Sequence, residues 1–315
     1  MKTVLLLLAV LIAVILFLRI VYPLQFANGL LLTARRVLGL RSKNIEVDGN
    51  PWPYLEGGSA SGDVLLLLHG FAGNKDNWLL YAFKLCRDYR VIIPDLPGFG
   101  DNGKDPNADY GMAAQVENVR QFVDALGIES FHIGGNSMGG FIALKFALTY
   151  PDKVITLALL NNAGVIGERQ SELELAAARG ENPLTVSSPA EFDLLLDFIT
   201  YRRIFLPGVI RLALSTVAIA NQPFWDSIFW ALRDEMLGQP LNDQLGRVSA
   251  PTLIIWGRHD RLIDVSCCDV LQAGIVDSHC VIFEDIGHVP MLERPAQSAA
   301  AHLEHLQKNR VARTT

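Results

Sequence analysis

The sequence predicts a mostly parallel, doubly wound α/β sheet with a helical insertion between two of its strands. Three observations carry that expectation. Short apolar runs alternate with helix-periodic stretches from residue 60 onward, one stretch (166–246) breaks the alternation, and a glycine-rich junction joins one run directly to a helical pattern. The chain has 315 residues; at roughly 100–200 residues per domain this fits one large α/β domain or two small ones. With 50% apolar and 19% charged residues, disorder is excluded. A single long apolar run, at the start, argues against a multi-span membrane protein, and a net charge of −6 argues against a nucleic-acid partner. None of the four cysteines forms a C-x-x-C pair, and a bridge between the adjacent Cys267 and Cys268 would be strained. All four, with Cys86 and Cys280, are therefore read as free thiols.

Residues 1–24 form the first segment. Met1-Lys2-Thr3 precedes fifteen uninterrupted apolar residues, 4–18, and the run continues past Arg19, whose long stem can snorkel to an interface. It thereby reaches the length of about 20 residues that a spanning helix needs. The next residues are bulky (Tyr22, Leu24, Phe26) and offer no close cleavage site, so an uncleaved anchor is expected and a cleaved signal peptide is the alternative. Residues 25–43 read as a basic amphipathic linker suited to a lipid surface or to solvent. The side of the membrane stays open. Arg19, Arg35, Arg36, Arg41 and Lys43 pull the following flank toward the cytoplasm, whereas a short N-terminus with Lys2 alone usually stays inside.

The core is assigned to residues 44–165 and 247–310. Residues 44–56 suit an opening hairpin. The runs 64–68, 91–93, 131–133, 154–160, 252–256 and 280–283 are short, rich in leucine or β-branched residues, and bounded by Gly, Pro, Asp or Asn, as strands buried on both faces are. Val116, Val119, Phe122, Val123 and Leu126 recur at helical spacing, as do Phe141, Leu144, Ala147 and Leu148. Residues 166–246 hold dense large apolar side chains, among them Phe192, Phe198, Trp225 and Phe229, cut into pieces by Pro183, Pro189, Pro207 and Pro223. Such an insertion would cover the carboxyl-end crevice of the sheet as a lid.

Gly134-Gly135-Asn136-Ser137-Met138-Gly139-Gly140 follows the run 131–133 and opens a helix, so Gly135-x-Ser137-x-Gly139 has the context a nucleophile elbow needs. The two glycines let the chain turn without a clash, and Ser137 stands where the first helical N–H groups can hold negative charge. A serine needs a base and an orienting acid, which on such a sheet follow in the order Ser, Asp/Glu, His. Asp260, in the loop after 252–256, is the expected acid, and His288, after 280–283, the expected base. Asp264 is read as a helix N-cap or stand-in acid, and His259 as a surface loop residue. His279, His302 and His305 are read as solvated. The N–H groups of Phe71 and Met138 are the expected oxyanion donors; His69 is assigned to holding the Phe71 loop and Asp95 to bracing the next one. No His/Cys/Asp cluster has ligand spacing, so no metal or cofactor is expected.

These motifs, with His69-Gly70-Phe71, Asn74-Lys75-Asp76-Asn77, the 95–100 turn, Trp256-Gly257-x-x-Asp260 and Gly287-His288-Val289-Pro290-Met291, resemble an α/β-hydrolase over roughly residues 60–308. More narrowly, they are similar to family V bacterial lipases and membrane-anchored monoacylglycerol lipases. The resemblance implies that Ser137, Asp260 and His288 form a triad and that the partner is a lipophilic fatty-acyl ester. The N-terminal segment fits an enzyme working at a lipid surface, a bacterial inner membrane if the first helix is retained and the periplasm or exterior if it is cleaved. Carbon–carbon hydrolases of ring-cleavage products share a similar elbow but usually carry a Trp after the catalytic His, where this chain has Val289. A membrane-attached binding protein that keeps the fold without turnover is the remaining alternative. Acyl-chain length and oligomeric state are left open by the sequence.

Overall fold

The computed structural model describes residues 2–314. An apolar helix, α1 (Lys2–Val21), leads into α2 (Pro23–Val37), and a hairpin of β1 (Leu40–Val47) and β2 (Asn50–Gly58) opens the sheet. There follow β3 (Val64–Leu68), α3 (Leu79–Leu85), β4 (Arg90–Pro94), α4 (Met112–Ala125), β5 (Phe131–Asn136), α5 (Met138–Thr149) and β6 (Val154–Leu160). Four helices come next: α6 (Glu172–Ala178), α7 (Pro189–Ile199), α8 (Gly208–Ala220) and α9 (Gln222–Gly238). The chain closes with β7 (Thr252–Gly257), α10 (Ser266–Gly274), β8 (Ser278–Phe283), the single turn α11 (Pro290–Glu293) and α12 (Pro295–Thr314).

The sheet has eight strands in the order β1-β2-β4-β3-β5-β6-β7-β8. β1 and β2 run antiparallel to their neighbours, and every pairing from β4 to β8 is parallel. The apolar runs lie in the middle because both sheet faces are covered. Leu66, Leu68, Ile133, Leu157 and Ile254 pack under α4 and α5 on one face, while Leu65, Leu67, Ile93 and Leu253 pack under α3 and α12 on the other. Each adjacent pair of residues along a strand thus points into a different core, which is why these strands read as unbroken apolar runs instead of alternating ones.

The described side chains of α1 are exposed, and its stretch Thr3–Val21 is long and apolar enough to cross a membrane. α2 is different: it is packed into the fold. Ala27, with Phe26 and Leu31, meets Val209, Ile210, Ala213 and Leu214 of α8. Arg35 makes a two-pronged bond to Asp76 at 2.7 and 2.6 Å. Arg41 and Lys43 lie in β1, where Lys43 pairs with Glu56.

Two expectations are corrected. Cys268 and Cys280 form a disulfide, because the crossover from β7 lays α10 beside β8; Cys86 and Cys267 remain thiols. Burial pushes those thiols up, Cys86 to about 11 and Cys267 to about 12. His302 is not solvated either. α12 packs against α3, so His302 faces inward at 0% exposure with Nδ1 2.7 Å from the Tyr81 hydroxyl, and the half-buried His305 places Nε2 3.2 Å from the Pro251 carbonyl. His279 is exposed as expected.

Chain purified without reductant and then denatured should titrate two thiols, rising to four after reduction; four without reduction would exclude the bridge. Burial holds the His302 imidazole well below the ordinary histidine range. The unfolded chain therefore takes up that proton first, and the stability this neutral histidine permits is present above pH ~6.5 and lost as the pH falls below it. The expected slope is up to about 1.4 kcal/mol per pH unit. Thermal unfolding from pH 7.5 to 5 should show it, with a shallower slope in His302→Asn.

Candidate active site

Ser137 sits between β5 and α5 with φ 56° and ψ −119°, a left-handed conformation that a side chain resists. What permits it is the absence of side chains on either side. A Cβ on Gly135 would lie 2.1 Å from the Gly139 carbonyl oxygen, and one on Gly139 would lie 2.3 Å from that of Leu68. The turn is then fixed from outside. The Ser137 N–H donates to the Leu160 carbonyl at 3.1 Å, and the Ser137 carbonyl accepts from Phe141 and Ala163.

The structure brings Asp260 and His288 together. His288 Nδ1 is 2.8 Å from Asp260 Oδ2, and both side chains are buried. The same carboxylate accepts from the N–H groups of Leu262 and Ile263 through Oδ1, and from Asn161 Nδ2 through Oδ2 at 2.7 Å. With its oxygens so occupied, the carboxylate is held in one orientation and leaves Oδ2 facing the imidazole. A third link joins the His288 loop to the Ser137 turn: Asn136 Nδ2 donates to the carbonyls of both Leu160 and His288, each at 3.0 Å. Sequence reading missed Asn136, Asn161 and Lys75. The only signal for Asn161 was its place directly after β6, at the same sheet edge as the other loops.

Phe71, Ser137 and Met138 line one cavity of about 410 Å³, walled by residues of the helical insertion such as Leu173, Phe229 and Leu232. Gly70 passes close by the elbow, its Cβ position 3.2 Å from that of Ser137. Met138 opens α5, where the first N–H groups have no partner within the helix. His69 braces its loop: Nε2 accepts from Leu96 N–H at 3.0 Å and Nδ1 lies 2.8 Å from the Gly70 carbonyl. Burial lowers its pKa, which suits this neutral, one-donor, one-acceptor role. Asp95 is likewise a brace, accepting from the N–H groups of Lys75 and Asp101 and from the Lys75 ammonium. Asp264 accepts from Ser266 N–H at the start of α10 and pairs with Arg169, with no bond to His288. His259 is exposed and stacks on Tyr201. Among the described residues, no cluster of three His, Cys, Asp or Glu side chains could hold a metal ion.

A sheet of this order, with a sharp Gly-x-Ser-x-Gly turn after β5 and loops after β7 and β8 that carry Asp260 and His288, defines a class, and comparison with known proteins agrees. Residues 63–188 match the model of the alpha/beta hydrolase fold. The chain is 34% identical to Lipase 1 of Psychrobacter immobilis over 259 residues, 80% of this chain and 79% of that one. It is 31% identical to the monoacylglycerol lipase ABHD6 of Rattus norvegicus over 282 residues, 86% and 84% of the two chains. Among solved structures it is similar to a membrane phospholipase A described as a bacterial virulence factor, with a TM-score of 0.90 and 41% identity, covering 98% of this chain and 99% of that one. This chain belongs to the α/β-hydrolase family. Within that family, it is similar to lipases.

Lys75 is 2% exposed, and its ammonium bridges Asp95 and Asp101. Burial disfavours its charge, but the two carboxylates outweigh that and raise its pKa above the ordinary lysine value. Lys75→Met strands the Asp95 carboxylate, which is 0% exposed, and should cost about 3–5 kcal/mol in denaturant unfolding. A loss under about 1 kcal/mol would mean the network is not a structural support.

Proposed function

We propose that this chain is a serine hydrolase of fatty-acyl esters such as glycerides, with Ser137 as nucleophile, His288 as general base and Asp260 as orienting acid. Its lipase and monoacylglycerol lipase relatives make it a carboxylic ester hydrolase. The observation that carries the residue assignment is the buried 2.8 Å pair of His288 and Asp260 tied through Asn136 to a strained Ser137. Nδ1–H of His288 donates to Asp260, which leaves Nε2 as the free base. That nitrogen takes the Ser137 proton as Oγ attacks the ester carbonyl, and the N–H groups of Phe71 and Met138 receive the oxyanion. The tetrahedral intermediate expels the alcohol, which takes its proton from His288, and an acyl-serine remains. Water, deprotonated by His288, then attacks the acyl carbonyl and releases the fatty acid and Ser137.

The lining of Leu173, Phe229 and Leu232 beside Ser137 favours an apolar acyl group. The exposed, apolar α1 supports an anchor at a lipid surface, a signal peptide being the other role such a helix serves. Because the similar solved structure is of a membrane phospholipase A, phospholipids join glycerides among the substrates to test.

Full-length chain in detergent micelles should hydrolyse p-nitrophenyl esters, with an optimum at medium to long acyl chains. Ser137→Ala and His288→Ala should each lose about 10³-fold or more in kcat. Full activity in Ser137→Ala would overturn the assignment. A folded wild type that cleaves none of the esters but does cleave a ring-cleavage product would replace the ester reading with the carbon–carbon one.

A further inference from the structure

α7 ends at Ile199, and the chain leaves it extended, with Thr200 at φ −119° and ψ 143°. Instead of running free over the surface, this lid segment is hydrogen-bonded to the loop that carries His288. The His288 N–H donates to the Ile199 carbonyl at 3.0 Å. Glu293, in the single turn α11, completes the junction. Its Oε1 accepts from Gly287 N–H at 2.8 Å, and its Oε2 accepts from the N–H groups of Tyr201 and Arg202 at 2.9 and 3.1 Å. One oxygen of Glu293 therefore holds the base loop and the other holds the lid.

Three further contacts show how close the two backbones run. A Cβ on Gly287 would lie 2.8 Å from Tyr201 N and 3.1 Å from the Ile199 carbonyl oxygen, so only glycine admits the strap. Arg202 pairs with Asp285 at 2.8 Å. The Tyr201 ring stacks on His259, the neighbour of Asp260, with ring centres 3.8 Å apart and planes 11° from parallel. Glu293 makes no ion pair among the described residues; its carboxylate is committed to main-chain N–H groups. Burial raises its pKa, and the three donors work against that rise.

We infer that Glu293 and the lid segment 199–202 are a positioning device for His288, so that the base stands in register with Ser137 only while this part of the lid is seated. The inference rests on His288 being the general base. Its physical ground is that the backbone between β8 and α11 has no strand or helix bonds of its own. The Nδ1 bond to Asp260 fixes one atom of the ring, but two consecutive N–H groups, Gly287 and His288, fix where the side chain starts. Misplacing a catalytic group by about 1 Å costs on the order of 10²-fold in rate. Glu293 touches neither substrate nor reacting atoms and acts through the loop.

The test uses the full chain in detergent micelles, with p-nitrophenyl butyrate for kinetics and a fluorophosphonate probe for the labelling rate at Ser137. Glu293→Ala should lower kcat about 10- to 100-fold with KM within about twofold, and slow labelling in parallel. Glu293→Gln, which keeps one acceptor oxygen, should fall between that variant and wild type. A folded Glu293→Ala with kcat within about twofold of wild type overturns the inference. Should Glu293→Ala fail to fold, Tyr201→Pro decides. It removes one N–H of the strap, after a residue already extended as a proline requires, and leaves Glu293 in place. Tyr201→Ala keeps the N–H and is its reference. A drop in kcat of about fivefold or more in Pro relative to Ala supports the device, and equal kcat overturns it. His288→Ala is run alongside: if it keeps activity, the base assignment fails, a result separate from any outcome at Glu293.

Discussion

A parallel strand must turn straight into a helix at Ser137 while its neighbours stay in register, and much of the site follows from that constraint. The turn holds Ser137 at positive φ, which costs on the order of 1–3 kcal/mol. It is possible only because Gly135 and Gly139 let two backbone segments approach where any Cβ would collide. The surrounding sheet holds it there: β5 sits between β3 and β6, and the Leu160 carbonyl at the end of β6 takes both the Ser137 N–H and an Asn136 side-chain N–H. A rigid centre strand thus offsets a local strain that a loop could not hold.

The same strand ends carry the other groups. Parallel strands all finish at one edge, so the segments after β3, β5, β6, β7 and β8 meet without long excursions. Polar side chains then lock the loops to each other. Asn161, at φ 44°, donates to Asp260, and Asn136 donates to the His288 carbonyl. Behind the Phe71 loop, Lys75, Asp95 and His69 form a buried brace. The Lys75, Asp95 and His69 brace is buried with its bonds made, the condition under which a polar network stiffens a site instead of weakening it.

The inserted helices α6–α9 and the N-terminal helix α2 belong to this frame. α2 packs on α8 through Ala27 and Leu31 and reaches the Lys75 region through Arg35 and Asp76. The apolar helix α1 is thus joined to the inserted helices through α2. In the connection from α7 to α8, the strap at Ile199–Arg202 meets the His288 loop. Tyr201 of the strap is large and exposed.

The fold class and the residue types of the candidate site were legible locally. Buried strands between helices show as unbroken runs because both faces need apolar residues, and an elbow shows as Gly135-x-Ser137-x-Gly139 because a clash forbids other residues there. Chain order then picked Asp260 and His288 from among several acids and histidines. Contacts between residues far apart in sequence were decided only by the tertiary structure. The Cys268–Cys280 bridge depends on how α10 lies beside β8, and His302 is buried because α12 turns that face to α3. Asn161 and Glu293 carry no motif, and the motif that holds Lys75 does not show its partner, since a hydrogen bond to a distant carboxylate or backbone N–H leaves no periodic trace in the chain. Residue types and local spacing determined which chemistry this protein can hold. Packing alone decided which polar groups support it, because only packing sets which distant atoms come within hydrogen-bond reach.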